Sequence, residues 1–208
     1  AAVRHNITIV TGISDNAPCS TARLQSPFTQ RPFPCDENTG LTQYNTQAAF
    51  GPDGRLLAKY HKNHLARGYA YEIEPWAEPL NISVGIFDAP FGVRFGMIIC
   101  NDLNYGDPIR QLIEAGVQDV VFSTWWTSKM KFWWRPNAMQ DGVARAHGIN
   151  FLAANAGNSA SGSGIWPADL RAPSIQHYDT TAFPTGRNAW MGVLDLTAST
   201  PKPLAAAV

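Results

Sequence analysis

Short apolar runs separated by turn signals dominate the chain, and they predict more strands than helices. Strand candidates rich in β-branched and aromatic residues are Ile7 to Thr11, Thr46 to Phe50, Leu56 to Tyr60, Ser83 to Phe87, Val93 to Ile99, Asp119 to Ser123, Ile149 to Ala154 and Trp190 to Leu196. Pro52-Asp53-Gly54 is a turn signal inside Thr46 to Tyr60, which therefore reads as a hairpin. Pro90-Phe91-Gly92 separates the next two strands. Two helices are punctuated at their ends. Asp107-Pro108 supplies an N-cap and an N1 proline, Ile109, Leu112 and Ile113 share one apolar face, and Gly116 ends the run. Pro136 to His147 is the second, with Gly148 at its C′ position. Each helix precedes an apolar strand, so residues 93 to 154 form a βαβαβ series. That series predicts an α/β fold with a parallel or mixed sheet.

Composition supports a globular domain: hydrophobic residues are 45% and charged residues 15% of 208. The formal net charge is zero with Lys and Arg scattered, which argues against nucleic acid as the main partner, since phosphate binding needs a clustered basic surface. No apolar run approaches the roughly 20 residues of a membrane span. No interdomain linker is visible, so residues 1–208 read as one domain.

Three cysteines are present, Cys19, Cys35 and Cys100. An odd count in a secreted protein suggests one pair and one free thiol. Pairing Cys19 with Cys35 closes a surface loop over 19–35, worth about 3 kcal/mol by chain entropy. Metal ligation is the competing use, but no Cys-x-x-Cys or His cluster supports it. The sequons Asn6-Ile7-Thr8 and Asn81-Ile82-Ser83 point, with the disulfide, to the secretory pathway.

Cys100 ends the run from Val93 and is followed by Asn101-Asp102-Leu103-Asn104. Ligands of open α/β sheets bind beyond the carboxyl ends of the strands, where a thiol can meet substrate. The bland reading of Cys100 is a small buried hydrophobe. A nucleophilic thiol needs its thiolate, and a free thiol ionises near about 8.5 unless a cation lowers that value. Lys62, just after the strand ending at Tyr60, is a candidate cation or an ordinary solvated lysine. The five histidines invite a Cys-His pairing, with His64 and His147 as candidates, but no motif of that class surrounds Cys100. Trp125, Trp126, Trp133 and Trp134 follow the strand Asp119 to Ser123. They suit core packing, an interaction surface, or a pocket lined by Trp125 or Trp126.

Several ordered motifs carry a resemblance. Phe50-Gly51-Pro52-Asp53-Gly54-Arg55-Leu56, Tyr60-His61-Lys62, Phe87-Asp88-Ala89-Pro90-Phe91-Gly92 and Cys100-Asn101-Asp102 resemble the nitrilase superfamily. Arg145 to Asn150, Leu152 to Asn155 and Ser161 to Ile165 continue it in order. The branch it is most similar to is that of vanins, pantetheinases and biotinidases. The cysteine pair before Tyr44-Asn45-Thr46 also fits that branch. The resemblance implies an α-β-β-α sandwich and a Glu-Lys-Cys triad without cofactor or metal. Cys100 would attack an amide carbonyl to form a thioester. Lys62 and the Asn101 backbone N–H would stabilise the oxyanion; apart from the resemblance, Trp125 is the substrate candidate by its place beyond a strand's carboxyl end. A second glutamate that positions the lysine is assigned to Glu72, with Glu74 next.

The family's general-base glutamate precedes the segment resembling Ile7 to Thr11, whereas Glu37 is the only glutamate here before Lys62. The chain is therefore expected to begin after the first strands and helix of the domain. Two functions follow: a secreted amide hydrolase, extracellular or membrane-anchored in its full-length form, or a catalytically silent binding or structural protein on the same scaffold. The expected partners are a small-molecule amide, a missing N-terminal segment or partner chain, and a second copy of the chain.

Overall fold

Two β-sheets stack face to face, and the second carries helices on its far side. The computed structural model describes residues 1–19, 35–36, 38–66, 79, 83–126, 136–155, 162–169 and 175–177. A helical turn, α1 (Ala2–His5), leads into β1 (Ile9–Pro18), β2 (Leu41–Phe50) and β3 (Leu56–His61). These three form one antiparallel sheet in the order β1-β2-β3. The second sheet holds β4 (Gly85–Asp88), β5 (Arg94–Ile99), β6 (Asp119–Thr124), β7 (Asn150–Asn155), β8 (Ser163–Trp166) and β9 (Ile175–His177), in that order. A 3-10 turn (Cys100–Asn104) follows β5, and α2 (Ile109–Glu114) and α3 (Pro136–His147) precede β6 and β7. No described helix is long and apolar enough to cross a membrane.

The expected βαβαβ series is present. β5, β6 and β7 pair in parallel, while β4, β8 and β9 add antiparallel strands at the two sides. Five of the six residues of β5 are buried, because a central parallel strand is covered on both faces. Its alternate residues feed two cores. Phe95, Met97 and Ile99 pack with Phe87 against Ala49 and Tyr60 of the first sheet. Ile98 faces the other way, with Val120, Phe122 and Phe151, onto Ile109 and Leu112 of α2 and Ala144 of α3. Buried Gln47 crosses between the sheets, its amide donating to Ser123 Oγ at 2.7 Å.

Both helix stops are as expected: Gly116 and Gly148 sit at φ 77° and 63°, the left-handed conformation that glycine adopts without strain. The start of α2 differs. Pro108 itself is the N-cap, with no side-chain cap bond, and the Asp107 carboxylate instead takes a hydrogen bond from Arg110 at 3.0 Å. The β1–β2 hairpin is longer than its apolar core, as pairing runs unbroken from Ile9↔Phe50 to Pro18↔Leu41. Strands β8 and β9 have no counterpart among the expected strands. The expected strand Trp190 to Leu196 lies outside the described residues.

The sheets come close together at Gly85. A Cβ there would lie 2.7 Å from Tyr60 Cβ, 2.9 Å from Tyr60 Cγ and 3.0 Å from Met97 Cβ. Gly85→Ala is expected to destabilise the protein by about 1–3 kcal/mol. Urea unfolding should show a lower midpoint at unchanged slope; a midpoint equal to wild type would mean that the sheets separate there without cost.

Candidate active site

The parallel register brings the carboxyl ends of β5, β6 and β7 side by side, with Ile99 opposite Ser123 and Thr124 opposite Asn155. Cys100 is the first residue beyond β5. Its φ of 46° is left-handed, uncommon for a residue with a side chain. The backbone thus turns sharply from strand into the 3-10 turn. The side chain is half-buried and touches both hydrophobic cores, so the sulfur sits where the two sheets meet. Trp126 donates its indole N–H to Cys100 Sγ at 3.1 Å.

Asp102 lies two residues further on and is fully buried. Its Oδ2 accepts from Ile99 N–H at 3.0 Å and from Tyr60 O–H at 2.8 Å; its Oδ1 accepts from His64 N–H at 2.9 Å. Burial pushes the Asp102 carboxyl up to about 7, against the pull of those three donors and of the Lys62 charge. Burial, together with the Asp102 charge, raises the Tyr60 phenol well above its ordinary value, which keeps it a donor. Lys62 is 1% exposed, and its backbone N–H donates to Asn45 O at 2.8 Å. Its charge acts on both Asp102 and His64, which places it at the loop carrying Cys100.

His64 is pushed down to about 4 by burial and then by the Lys62 charge, against Asp107. Its ring stacks on Tyr105 at 3.8 Å and its Nε2 lies 3.2 Å from Asp107 O. His147 is exposed at the end of α3. The Asn101 side chain donates to Leu65 O at 3.2 Å and accepts from Asn104 at 2.8 Å, which fixes the turn after Cys100.

Of the other expected site residues, Trp125 is 60% exposed, at the end of β6. Cys19 and Cys35 are joined, with an S–S distance of 1.99 Å, and Cys100 is the free cysteine. Asn6 is exposed. Glu72, Glu74, Glu37 and Asn81, with Trp133 and Trp134, lie outside the described residues. Among the described residues the one glutamate is Glu114, exposed and bonded to Arg110 at 3.0 Å. No group of three or more His, Cys, Asp or Glu that could hold a metal occurs among the described residues. The sequence motif contained Asp102 but gave no sign of its part in the site, since its partners Tyr60 and His64 are about forty positions away.

A family model described as carbon-nitrogen hydrolase matches residues 1–176. The chain is 31% identical over 182 residues to pantetheinase of Mus musculus, covering 86% of this chain and 32% of that protein. It is 32% identical over 168 residues to biotinidase of Takifugu rubripes, covering 78% and 30%. It thus spans about a third of the length of these relatives. An amidase from Nesterenkonia sp. shares the fold with a TM-score of 0.54 at 16% identity, covering 84% of this chain and 52% of that one. The expected nitrilase-type α/β fold is borne out.

The two perturbed groups give opposite pH dependences. Between its ordinary 3.8 and about 7, Asp102 keeps in the folded state a proton that the unfolded chain has released, so its contribution to stability weakens as pH rises. Between about 4 and its ordinary 6.5, His64 refuses a proton that the unfolded chain binds, so its contribution strengthens as pH rises. Asp102→Asn removes the first effect and leaves the second. Denaturation at a series of pH values should show the variant gaining stability between pH 4 and 6.5 more steeply than wild type. An equal slope in both would sink this account of Asp102.

Proposed function

The chain belongs to the carbon-nitrogen hydrolase family, and from that premise we propose that it is the nucleophile-bearing part of a secreted amide hydrolase acting on pantetheine-like or biotin-like amides. The observation that carries this reading is the Cys100 elbow. A half-buried thiol at a strand's carboxyl end, held at φ 46°, receives an N–H donor from Trp126 and has the buried Lys62 charge at its loop. In the proposed reaction the Cys100 sulfur attacks the amide carbonyl, and its proton reaches the departing amine through the general-base glutamate that the family uses, a role no described residue of this chain fills. The Lys62 ammonium and the Asn101 backbone N–H stabilise the oxyanion. Water then adds to the thioester, the thiolate leaves, and the acid is released. Glu72 is proposed to position Lys62, and Trp125, exposed at the end of β6, to contact the substrate.

A second reading is a silent scaffold, a binding or structural protein. It is favoured by Glu114, the one described glutamate, being committed to Arg110 at the surface. Either reading carries a secretory-pathway address, which the Cys19–Cys35 disulfide and the exposed Asn6 of the sequon Asn6-Ile7-Thr8 support.

Hydrolysis of pantetheine and of a biotinyl amide, measured beside labelling of the free thiol, separates the two readings. For the enzyme, Cys100→Ala should abolish turnover, and Lys62→Met should lower kcat by about 10²–10³-fold. Labelling of Cys100 with no turnover of either amide would favour the silent scaffold. The address is tested by mass. Protein made in a secretory host should lose glycan mass on N-glycosidase treatment. Thr8→Val should abolish the Asn6 share of that loss while fitting the site, where Thr8 Oγ1 is buried without a hydrogen-bond partner. An unchanged mass would remove the evidence that Asn6 supplies.

A further inference from the structure

Trp126 is 3% exposed, and its ring packs edge-on against Phe122 with centroids 5.5 Å apart. Its backbone is clamped by a single side chain. Asn155 Oδ1 accepts from Trp126 N–H at 2.9 Å, and Asn155 Nδ2 donates to Trp126 O at 3.0 Å. Asn155 is tied in turn to β8, its own backbone N–H donating to Ser163 Oγ at 2.9 Å. An unbroken line of hydrogen bonds thus runs from Ser163 through Asn155 and Trp126 to the Cys100 sulfur, linking the ends of β8, β7, β6 and β5. Ring packing fixes where the indole lies, and the amide clamp fixes the backbone from which it projects.

We propose that Trp126 is a catalytic hydrogen-bond donor that holds negative charge on the Cys100 sulfur, and that Asn155 is its positioning residue. This deepens the reading of Cys100 as the nucleophile and rests on it. An indole N–H only donates, so it cannot take the thiol proton. What it does is discriminate between the two states of the sulfur. A hydrogen bond to an ion is about twice as strong as one to a neutral acceptor, so the bond favours thiolate over thiol. The buried setting strengthens that preference. The same preference acts along the reaction. Charge leaves the sulfur for the carbonyl oxygen during attack and returns when the tetrahedral adduct of the thioester expels the thiolate. The donor therefore supports the resting nucleophile and the leaving group of the second half-reaction.

The test reads the sulfur rather than turnover. Cys100 is the free cysteine, so iodoacetamide alkylation across pH reports its thiolate fraction directly. Trp126→Phe keeps a ring against Phe122 and removes the N–H. It should displace the alkylation midpoint upward by about one pH unit, which is a roughly tenfold slower reaction on the acidic side of the midpoint. The ultraviolet thiolate absorbance should fall in parallel. Asn155→Ser loosens the clamp without touching the indole and should displace the midpoint the same way, by about threefold in rate. If the Phe variant does not fold by circular dichroism, the Asn155→Ser profile decides. A wild-type alkylation profile in the folded Phe variant, or in Asn155→Ser where that one decides, overturns the proposal. A displaced profile in a protein that hydrolyses neither amide leaves the donor in place and removes the enzymatic reading instead.

Discussion

Burying a carboxylate costs several kcal/mol unless donors and a countercharge offset it, and Asp102 is fully buried. Its three donors come from the end of β5, the end of β3 and the loop after β3. Satisfying this one group therefore requires both sheets to be docked and the chain beyond Tyr60 to fold back over the β5 end. The buried Lys62 lies in that returning stretch. The Lys62 charge pulls the Asp102 carboxyl down, but less than burial pushes it up. The hydrogen bonds to Asp102 gather the end of β5, Tyr60 and the loop after β3 around Cys100.

The left-handed backbone at Cys100 is a local cost, of order 1–3 kcal/mol for a residue with a side chain. It persists because its surroundings determine it on both sides. Ile99, just before it, is in the core and donates its N–H to Asp102. Asn101, just after it, is bonded to Leu65 and Asn104. The Cys100 side chain has contacts in both cores. The strained turn is thus supported by burial and hydrogen bonding rather than by any preference of its own sequence.

These causes explain what could be read in the chain beforehand. β5, β6, β7 and α3 are legible because continuous apolar runs and flanking glycines encode a doubly covered parallel strand and a stopped helix without reference to the rest of the molecule. The β1–β2 hairpin is only partly legible. Ser14, Asp15, Asn16 and Pro18 are poor strand formers, and they extend because each pairs in register with β2. The tryptophan pair shows a sharper limit. Neighbours in extended chain point to opposite faces, so sequence places two indoles at the end of β6 without saying which meets the sulfur. Trp125 is outward and Trp126 inward, a choice made by Phe122 and Asn155. Asp102 stands in a motif, but its part in the site lies in Tyr60 and His64, remote in sequence.

The groups that meet at the turn after β5 come from different sheets. The Lys62 charge arrives from the chain leaving the three-stranded sheet, whereas the Trp126 N–H and the Asn101 turn belong to the six-stranded one. Their relative positions are therefore set by the spacing between sheets. Gly85 permits Tyr60 to approach β4 and β5 closely, and the phenol of that same tyrosine bonds Asp102. Gln47 fixes the other side of the contact at Ser123, which lies opposite Ile99 in the register. A side chain added between the sheets would act on the site without touching it, by lifting Tyr60 from Asp102 and the Lys62 charge from the loop of Cys100. Inter-sheet packing in this fold thus sets the geometry at Cys100, because the sulfur lies at the seam where the two layers meet.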